Sequence, residues 1–214
     1  MNAMADTPRK PRSLVSLWVL IAIFALPPMA GWLFYLNPQW LPEGRTNHGT
    51  LIDPPRPVTD LRLYTPDGPA FDWGQLKDLW TMTLISEGGC DAACIEALIR
   101  VRQIRKATGA NRQRVDRLLI LLPTESGRLN LPDLDGLEGT RLLIADSLDR
   151  RQILERFPVD LTAQAISLFL IDPRGDLMMS HDTSAIPPKK ILQDLEKLLK
   201  VSQSWVKGGQ YGHK

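Results

Sequence analysis

The sequence predicts an α/β domain in which helices cover both faces of a mixed sheet, preceded by one N-terminal transmembrane helix. Three observations support this prediction. Residues 13–36 carry no charge and are mostly apolar, strand-type and helix-type patterns alternate from residue 80 onward, and two late strand-type runs flank a tight turn. Alternating strands and helices are typical of parallel strands joined by helical crossovers, whereas the late turn indicates an antiparallel hairpin.

The N-terminal apolar run, Ser13 to Leu36, is long enough to cross a membrane. At about 1.5 Å per helical residue it spans a hydrocarbon core of roughly 30 Å. A cleaved signal peptide is the alternative, but the run is long for one, and Pro28 occupies the −3 position of the best cleavage point, after Ala30. We therefore expect a retained anchor.

The charges that flank this run predict its orientation. Arg9, Lys10 and Arg12 precede the run, and the next basic residue is Arg45. The positive-inside rule therefore predicts a cytoplasmic N-terminus. The rest of the chain is then expected outside, in the periplasm of a bacterium, with the anchor in the inner membrane. Cysteines in that compartment face oxidising conditions.

We predict five segments along the chain. They are a cytoplasmic tail (1–12), the anchor (13–36), a proline-rich stalk (37–57), the α/β domain (58–201) and a flexible tail (202–214). Five prolines in 37–57 resist both helix and central strand, so this segment is either a stalk or an extended segment lying on the domain. The formal net charge of +2 gives no reason to expect a nucleic-acid partner.

Six runs are predicted strands because β-branched, aromatic or continuous apolar residues fill them. They are Leu61–Tyr64, Trp80–Ile85, Val115–Leu122, Arg141–Ala145, Ile166–Ile171 and Leu177–Ser180. The last two flank Asp172-Pro173-Arg174-Gly175, which places proline and glycine where a type I turn favours them.

Three further runs are predicted helices. Apolar residues recur at helical spacing from about Ala92 to Thr108, where Gly109 follows as a stop. Ser147 can cap a second helix that ends near Phe157, and the third runs from Pro188 to about Val201. The resulting order of strand, cysteine loop, helix, strand, helix, hairpin and helix is that of the thioredoxin fold.

The only two cysteines, Cys90 and Cys94, follow the second predicted strand at the start of a helix. Gly88 and Gly89 let the backbone turn there without a Cβ penalty. The helix N-terminus favours a thiolate, whereas the carboxylate of Asp91 opposes one. Such a pair can exchange disulfides or bind one soft metal ion. It can also be a structural disulfide, although so short a loop restricts the unfolded chain little, or a pair of buried, inert cysteines.

These features resemble the Sco/SenC family of membrane-anchored cytochrome c oxidase assembly factors. The shared features are the anchor, the C-x3-C pair after a strand, and LIDPRG (Leu170–Gly175); NHGTLIDPP (Asn47–Pro55) is similar to short proteins associated with such oxidases. The resemblance covers most of residues 57–201. It implies a thioredoxin-like domain that binds copper through both cysteines and a histidine just before the LIDPRG strand. It also implies that the protein metallates the oxidase's dinuclear copper centre or reduces its cysteines.

The sequence departs from that family at two places. The family usually has prolines around and within the cysteine loop, where this chain has Asp91, Ala92, Ala93 and Ile95. Gln164 stands near the expected histidine, and glutamine is a poor ligand for a soft cation. We therefore expect any copper to be Cu(I), held by the two cysteines alone.

Three histidines could replace the missing ligand. His213 is in the predicted flexible tail and His48 in the predicted stalk. His181 returns on the hairpin to the sheet end where the cysteines are expected, but an intervening strand leaves it roughly 10 Å to the side. We expect His181 to be a surface histidine at a strand end; it is the strongest candidate of the three histidines but is much less favoured as a copper ligand than Cys90 and Cys94.

Two charged features lie near the predicted site. The run from Arg100 to Arg117 is strongly basic, which indicates a solvated helix face or a docking surface for an acidic partner or anionic lipid. Glu87 precedes the cysteine loop and either tunes thiol acidity or is simply solvated.

Three functions are compatible with the sequence. The first is a membrane-tethered assembly factor that acts on cytochrome c oxidase subunits as a Cu(I) carrier or thiol reductant. The second, an enzyme, is a general periplasmic thiol–disulfide oxidoreductase. Such enzymes carry a substrate-facing proline at the start of the strand that corresponds to Ile166–Ile171, which this chain lacks. The third is a non-catalytic, oxidase-associated binding module with a structural disulfide.

The orientation of the anchor can be tested with fusions. A reporter that is active only after export, fused after Val201, should be active, and a reporter that is active only in the cytoplasm should be silent at the same position. Cytoplasmic activity, or a mature chain that begins near Gly31, would show that the predicted topology is wrong.

Overall fold

The computed structural model describes residues 14–37, 40, 47–161 and 166–202. The chain divides into two compact units, residues 1–46 and residues 47–214. In the first unit, helix α1 (Val15–Leu36) is long and apolar enough to cross a membrane, and it is the one such helix among the described residues. Pro27 and Pro28 lie inside it, a position that membrane helices tolerate.

The second unit contains a six-stranded sheet, three α-helices and two short 3-10 helices among its described residues. Its elements are β1 (Thr50–Pro57), β2 (Trp80–Glu87), α2 (Ala92–Ala107), β3 (Val115–Leu122), β4 (Thr140–Ile144), α3 (Arg150–Arg156), β5 (Ser167–Ile171), β6 (Asp176–Asp182) and α4 (Pro188–Val201). The strand order is β1-β6-β5-β2-β3-β4. Strands β2, β3 and β4 are parallel, and the other pairings are antiparallel. The predicted mixed sheet is confirmed.

Two apolar clusters fill the space on either side of the sheet. On one face, Met82 and Leu84 of β2 pack with Leu98 of α2 and Leu195 of α4. The opposite cluster includes Ile153 of α3. All eight residues of β3 are buried, which is the pattern of a central strand covered on both faces. The predicted helices on both faces are therefore confirmed.

Strand β1 lies within the segment that the proline content marked as a stalk or an extended segment on the domain. It pairs antiparallel with β6 at the sheet edge, and the register shifts between Leu51 and Arg56, around Pro54 and Pro55. An edge strand tolerates prolines because one side of it needs no hydrogen-bonded neighbour. The second alternative, an extended segment lying on the domain, describes these residues.

Three local predictions were wrong. Leu61–Tyr64 is not a strand; Tyr64 forms isolated bridges, whereas Leu61 and Leu63 are buried core residues. Helix α3 begins at Arg150 rather than after a Ser147 cap. Ser202, assigned to the flexible tail, is buried and accepts a hydrogen bond from Trp80 Nε1 at 3.0 Å. The apolar residues of Leu61–Tyr64 thus indicated a buried segment rather than a strand.

The LIDPRG segment ends β5 and forms the turn into β6. Asp172 Oδ1 accepts hydrogen bonds from the backbone amides of Arg174 and Asp176, each at 2.9 Å. Gly175 has a φ of 91°, and a Cβ there would overlap the Thr59 side chain. The segment lies opposite the start of β2, at the sheet end away from the cysteines, so it shapes the hairpin and does not contact them.

Candidate functional site

Cys90 and Cys94 form a disulfide just beyond the end of β2, with 5.2 Å between their Cα atoms. Cys94 is the third residue of α2 and is fully buried, whereas Cys90 precedes the helix and is half-buried. Cys90 is therefore the more exposed residue of the pair, although it packs against the core cluster, and Cys94 lies within that cluster.

The backbone of the cysteine loop is held from two sides. Gly88 and Gly89 have φ values of 71° and 152°, which side chains with a Cβ rarely adopt. Ser86 Oγ donates to Gly89 O at 2.5 Å, and the amide of Asn130 donates to Gly88 O at 2.9 Å. The loop is thus fixed between the end of β2 and the 123–139 loop.

Asp91 caps the helix on which the buried cysteine lies. Its Oδ1 accepts a hydrogen bond from the Cys94 amide at 2.9 Å, an arrangement that typically stabilises a helix by about 1 kcal/mol. The same bond occupies a first-turn amide that would otherwise stabilise a thiolate, and it places a carboxylate at the helix start. The helix N-terminus therefore offers less stabilisation to a thiolate than its dipole alone predicts.

Glu87, at the end of β2, forms an ion pair with Arg150 of α3. It is therefore paired rather than simply solvated. A cavity of about 200 Å³ lies beside the cysteine loop, and its lining includes Ser86, Glu87 and Asp91. A larger cavity of about 420 Å³ lies at the LIDPRG turn, remote from the cysteines.

His181 is not the surface histidine that the sequence predicted. Its exposed fraction is 1%, and its Nε2 lies 3.1 Å from Asp194 Oδ2. The nearest strand neighbours in its row are Leu168 of β5 and, beyond it, Leu84 of β2. Strand β5 therefore lies between His181 and the strand that leads to the cysteines, as predicted. The His181 side chain, however, points into the protein interior.

Asp194 joins His181 to the segment that precedes β1. Its Oδ2 accepts hydrogen bonds from the backbone amides of His48 at 2.7 Å and Gly49 at 3.0 Å, and its Oδ1 lies 3.1 Å from His48 Nδ1. Lys197 Nζ is 3.9 Å from the same carboxylate. A Cβ at position 49 would lie 2.5 Å from His181 Nε2, so only glycine fits. The NHG residues of the NHGTLIDPP motif thus fasten β1 to α4.

The sequence analysis missed Asp194, although a signal for it existed. Asp194 follows Ile191 by three residues and precedes Leu195, so it falls on the apolar stripe of a helix that buries this face. A charged residue at such a position needs a buried partner. The partners could not be identified from the sequence, because they lie 13 and 146 residues away.

Burial acts on both titratable groups at the centre of this cluster. It lowers the pKa of His181, and the hydrogen bond and charge of Asp194 offset this only in part. Burial alone would raise the pKa of Asp194, but hydrogen bonds from Gly49, His181 and His48 together lower it. The folded domain therefore favours a neutral His181 beside an ionised Asp194.

The basic run Arg100–Arg117 is bound to the rest of the domain. Five of its arginines donate hydrogen bonds to backbone carbonyl oxygens. The acceptors are Thr183 for Arg100, Gly136 for Arg102, Val115 for Arg105, Leu199 for Arg114 and Glu138 for Arg117. These side chains are therefore fixed by the domain, and all but Arg117 remain partly exposed. The docking interpretation stays a prediction.

The described residues contain no group of three or more His, Cys, Asp and Glu side chains placed to hold a metal ion. Gln164, His213, the predicted cytoplasmic tail and residues 203–214 lie outside the described residues. After reduction, Cys90 and Cys94 would supply two thiolates. That donor set suits Cu(I), which accepts two soft ligands.

The chain was compared with family models, with curated proteins and with solved structures. Residues 80–202 match the family model described as the transmembrane-like, thioredoxin-like, C-terminal domain. The comparison with curated proteins gave no match. The domain also resembles solved structures. The solution structure of apo Sco1 from Thermus thermophilus has 17% identity and a TM-score of 0.55, covering 73% of this chain and 99% of that chain.

Two crystal structures of yeast Sco1 are also similar. The first has 14% identity and a TM-score of 0.53, covering 66% of this chain and 92% of that chain. The second, with copper bound, has 13% identity and a TM-score of 0.50, covering 65% of this chain and 90% of that chain. At these identities the likeness shows the fold alone.

The buried histidine predicts a specific pH dependence of stability. Because its folded pKa lies below the unfolded value of about 6.5, the unfolded chain takes up a proton first as the pH falls, and stability is lost below that value. His181→Gln keeps a side-chain N–H donor but does not titrate. Relative to the wild type, its free energy of unfolding should therefore improve as the pH is lowered from 7 to 5, by up to about 1.4 kcal/mol per pH unit.

Chemical unfolding of the full chain in detergent at several pH values measures this difference. Asp194 contributes in a separate window, because its lowered pKa gives stability that is present above about 3.8 and lost in stronger acid. A constant difference between variant and wild type from pH 7 to 5 would contradict the prediction.

Proposed function

Because the chain belongs to the transmembrane-like, thioredoxin-like, C-terminal domain family, we propose that it is a membrane-tethered thiol–disulfide exchange protein of respiratory oxidase assembly. The observation that carries this proposal is the asymmetry of its cysteine pair. Cys90 is half-buried and precedes α2, whereas Cys94 is fully buried within its first turn. A more exposed first cysteine and a buried second cysteine suit an exchange reaction in which the first attacks the partner and the second resolves the mixed disulfide.

The two cysteines take different parts in this reaction. In the reduced protein, the Cys90 thiolate attacks a disulfide of the partner, which forms a mixed disulfide and releases one partner thiolate that takes up a proton. The Cys94 thiolate then attacks Cys90 Sγ, re-forms the Cys90–Cys94 disulfide and releases the second partner thiolate. Two electrons pass to the partner, and an external dithiol must restore the reduced pair.

Neighbouring residues support the reducing direction. Asp91 occupies the Cys94 amide and places a negative charge at the helix start, which disfavours the thiolate form of the reduced pair. Thioredoxin-fold proteins whose reduced thiolate is strongly stabilised act as oxidants. A pair without that stabilisation is better suited to donate electrons than to accept them.

The proposed role in oxidase assembly rests on the sequence resemblance. A second candidate function is that of a Cu(I) carrier. C-x3-C and LIDPRG are the features shared with Sco/SenC proteins, and one yeast Sco1 structure of the same fold has copper bound. The reduced pair would carry Cu(I) as cargo. His181 is an unsuitable third ligand, because its Nε2 is directed at Asp194 and its side chain is buried.

Helix α1 supports the proposed location. It would hold the domain at the bacterial inner membrane, with the cysteines on the periplasmic side, where oxidase subunits present cysteines and copper sites. The same site chemistry would serve a general oxidoreductase. Selective reaction with oxidase subunits, rather than with arbitrary disulfides, separates the two.

The exchange reaction predicts unequal behaviour of the two single-cysteine variants. In the full chain in detergent, Cys94→Ser should form a stable mixed disulfide with a small aromatic disulfide, because its reachable Cys90 thiol remains without the resolving sulfur. Cys90→Ser should react at least about tenfold more slowly, since the remaining thiol is buried. Thiol trapping of the wild type in redox buffers should give a potential above about −300 mV.

Equal reactivity of the two variants would contradict the assigned roles. A disulfide that stays oxidised below about −300 mV would instead indicate a structural bond. Replacing both cysteines by serine is the negative control, since it removes both reactive sulfurs.

The copper candidate makes its own prediction. The reduced full chain should compete with a Cu(I) chelator for about one ion, and replacing both cysteines by serine should abolish this binding. His181→Gln should change it little, because that histidine is held by Asp194. Cu(II) should give only a weak thiolate band, since Cu(II) favours added imidazole or oxygen ligands.

Failure to bind Cu(I) would remove the carrier role and leave the exchange reaction intact. A strong Cu(II) band that disappears in His181→Gln would show that this histidine leaves the Asp194 cluster to reach the metal.

A further inference from the structure

A second cluster of chemistry-bearing side chains lies away from the cysteines. Arg117, on the central strand β3, has an exposed fraction of 3%. Arg102 and Arg105 lie three residues apart on α2 and are half-buried, so they share one helix face. The positive charges of both act on Arg117. Three guanidinium groups therefore converge between α2, β3 and the 123–139 loop.

Each of these groups is fixed by a hydrogen bond to a neutral acceptor. Arg105 Nε donates to Val115 O at 2.5 Å, and Arg117 Nη2 donates to Glu138 O at 2.5 Å. Arg102 donates to the carbonyl oxygen of Gly136. Backbone carbonyls set the positions of the guanidinium groups, but they do not neutralise the charges.

Several donors of this cluster remain unused. Within the described part of the chain, Arg117 Nε and Nη1 and Arg102 Nε are buried and have no hydrogen-bond partner. A buried donor without a partner is unfavourable, and more so when it is charged. These unpaired donors of two neighbouring arginines are available to a further acceptor.

The nearby carboxylates do not supply that acceptor. Asp116 Oδ2 accepts from Arg141 Nε at 2.7 Å, and Glu138 Oε1 accepts from the amide of Gly136 at 3.1 Å. Burial lowers the pKa of Arg117, and the charge of Arg105 lowers it further, whereas Asp116 and Glu138 only partly oppose them. An excess of positive charge is thus held in a partly desolvated place.

We propose that Arg102, Arg105 and Arg117 form a binding site for a phosphate-type oxyanion. Guanidinium groups present planar forks of donors that match the oxygens of such ions. Arg117 forms the buried side of the site, and the half-exposed Arg102 and Arg105 form the side toward solvent. A Cβ added at position 139 would lie 3.2 Å from Arg117 Nη2. Gly139 therefore keeps the loop side of the site free of a bulky side chain.

Phosphate binding to the full chain tests this proposal. In nanodiscs of zwitterionic lipid, equilibrium dialysis with radiolabelled inorganic phosphate at constant ionic strength should give about one bound ion per chain. Arg117→Met should weaken binding about tenfold or more, since a charged hydrogen bond contributes about 1.5–3 kcal/mol. Arg105→Gln provides a second variant in case the buried substitution impairs folding.

Arg112→Gln is the matched control, because it removes one exposed positive charge from the same basic run. It should leave the phosphate affinity within about twofold of the wild type. Equal losses in Arg112→Gln and Arg117→Met would show that binding is diffuse electrostatic attraction, which would overturn the proposal. A folded wild type that binds no phosphate at millimolar concentration would also overturn it.

The same chemistry could come from a lipid headgroup rather than a free ion. A parallel dialysis in nanodiscs that contain phosphatidylglycerol separates these sources. If the headgroup occupies the site, these nanodiscs should reduce phosphate binding by the wild type but not the residual binding of Arg117→Met. Unchanged binding in both lipids assigns the site to the free ion.

Discussion

The burial of β2 is the constraint on which the cysteine site depends. Its first six residues are buried and its last two, Ser86 and Glu87, are half-buried, so the strand leaves the core just before the cysteine loop. Burying each large apolar side chain contributes roughly 1.5–3 kcal/mol, and Trp80, Met82 and Leu84 are all buried. The strand cannot shift by one residue without moving these side chains to the other face. The point at which the cysteine loop leaves the sheet is therefore set by the core, and the hydrogen bonds of Ser86 and Asn130 then hold the loop.

The cap of α2 links stability to chemistry at this site. An uncharged cap such as serine would also satisfy the Cys94 amide, but Asp91 adds a negative charge where a thiolate forms. The helix gains stability, and the thiolate loses part of the benefit of the helix dipole. A metal-bound thiolate is less sensitive to this charge, because the cation itself compensates it. The same aspartate is thus compatible with both the reductant and the Cu(I) carrier, but not with a strong oxidant.

Local patterns predicted the elements whose neighbours are near in sequence. Strand β3 and helix α4 were predicted with the bounds that the structure gives them, because their apolar patterns are continuous and strong. For residues 37–57 the sequence predicts only a stalk or an extended segment lying on the domain. The pairing of β1 with β6 joins Thr50 to Ser180, which are distant in sequence, and the prolines of β1 are unfavourable in strands. The disulfide position followed from the strand and helix predictions. The hydrogen bonds of the arginine side chains could not be predicted from the sequence. Their acceptors are backbone carbonyl oxygens, which every residue has, so no residue type marks them.

The 123–139 loop contacts both the cysteine loop and the arginine cluster. The amide of Asn130 supports the cysteine loop at Gly88, while the carbonyl oxygens of Gly136 and Glu138 accept from the arginine cluster. An oxyanion that restricts this loop would also restrict the support of the cysteine loop, since both contacts belong to one segment. Such coupling is limited by the difference in anion affinity between the oxidised and reduced states. The coupling free energy is the same in both directions. The free-energy change that the anion causes in reduction must therefore equal the change that reduction causes in anion binding, so a measurement of either one gives the other.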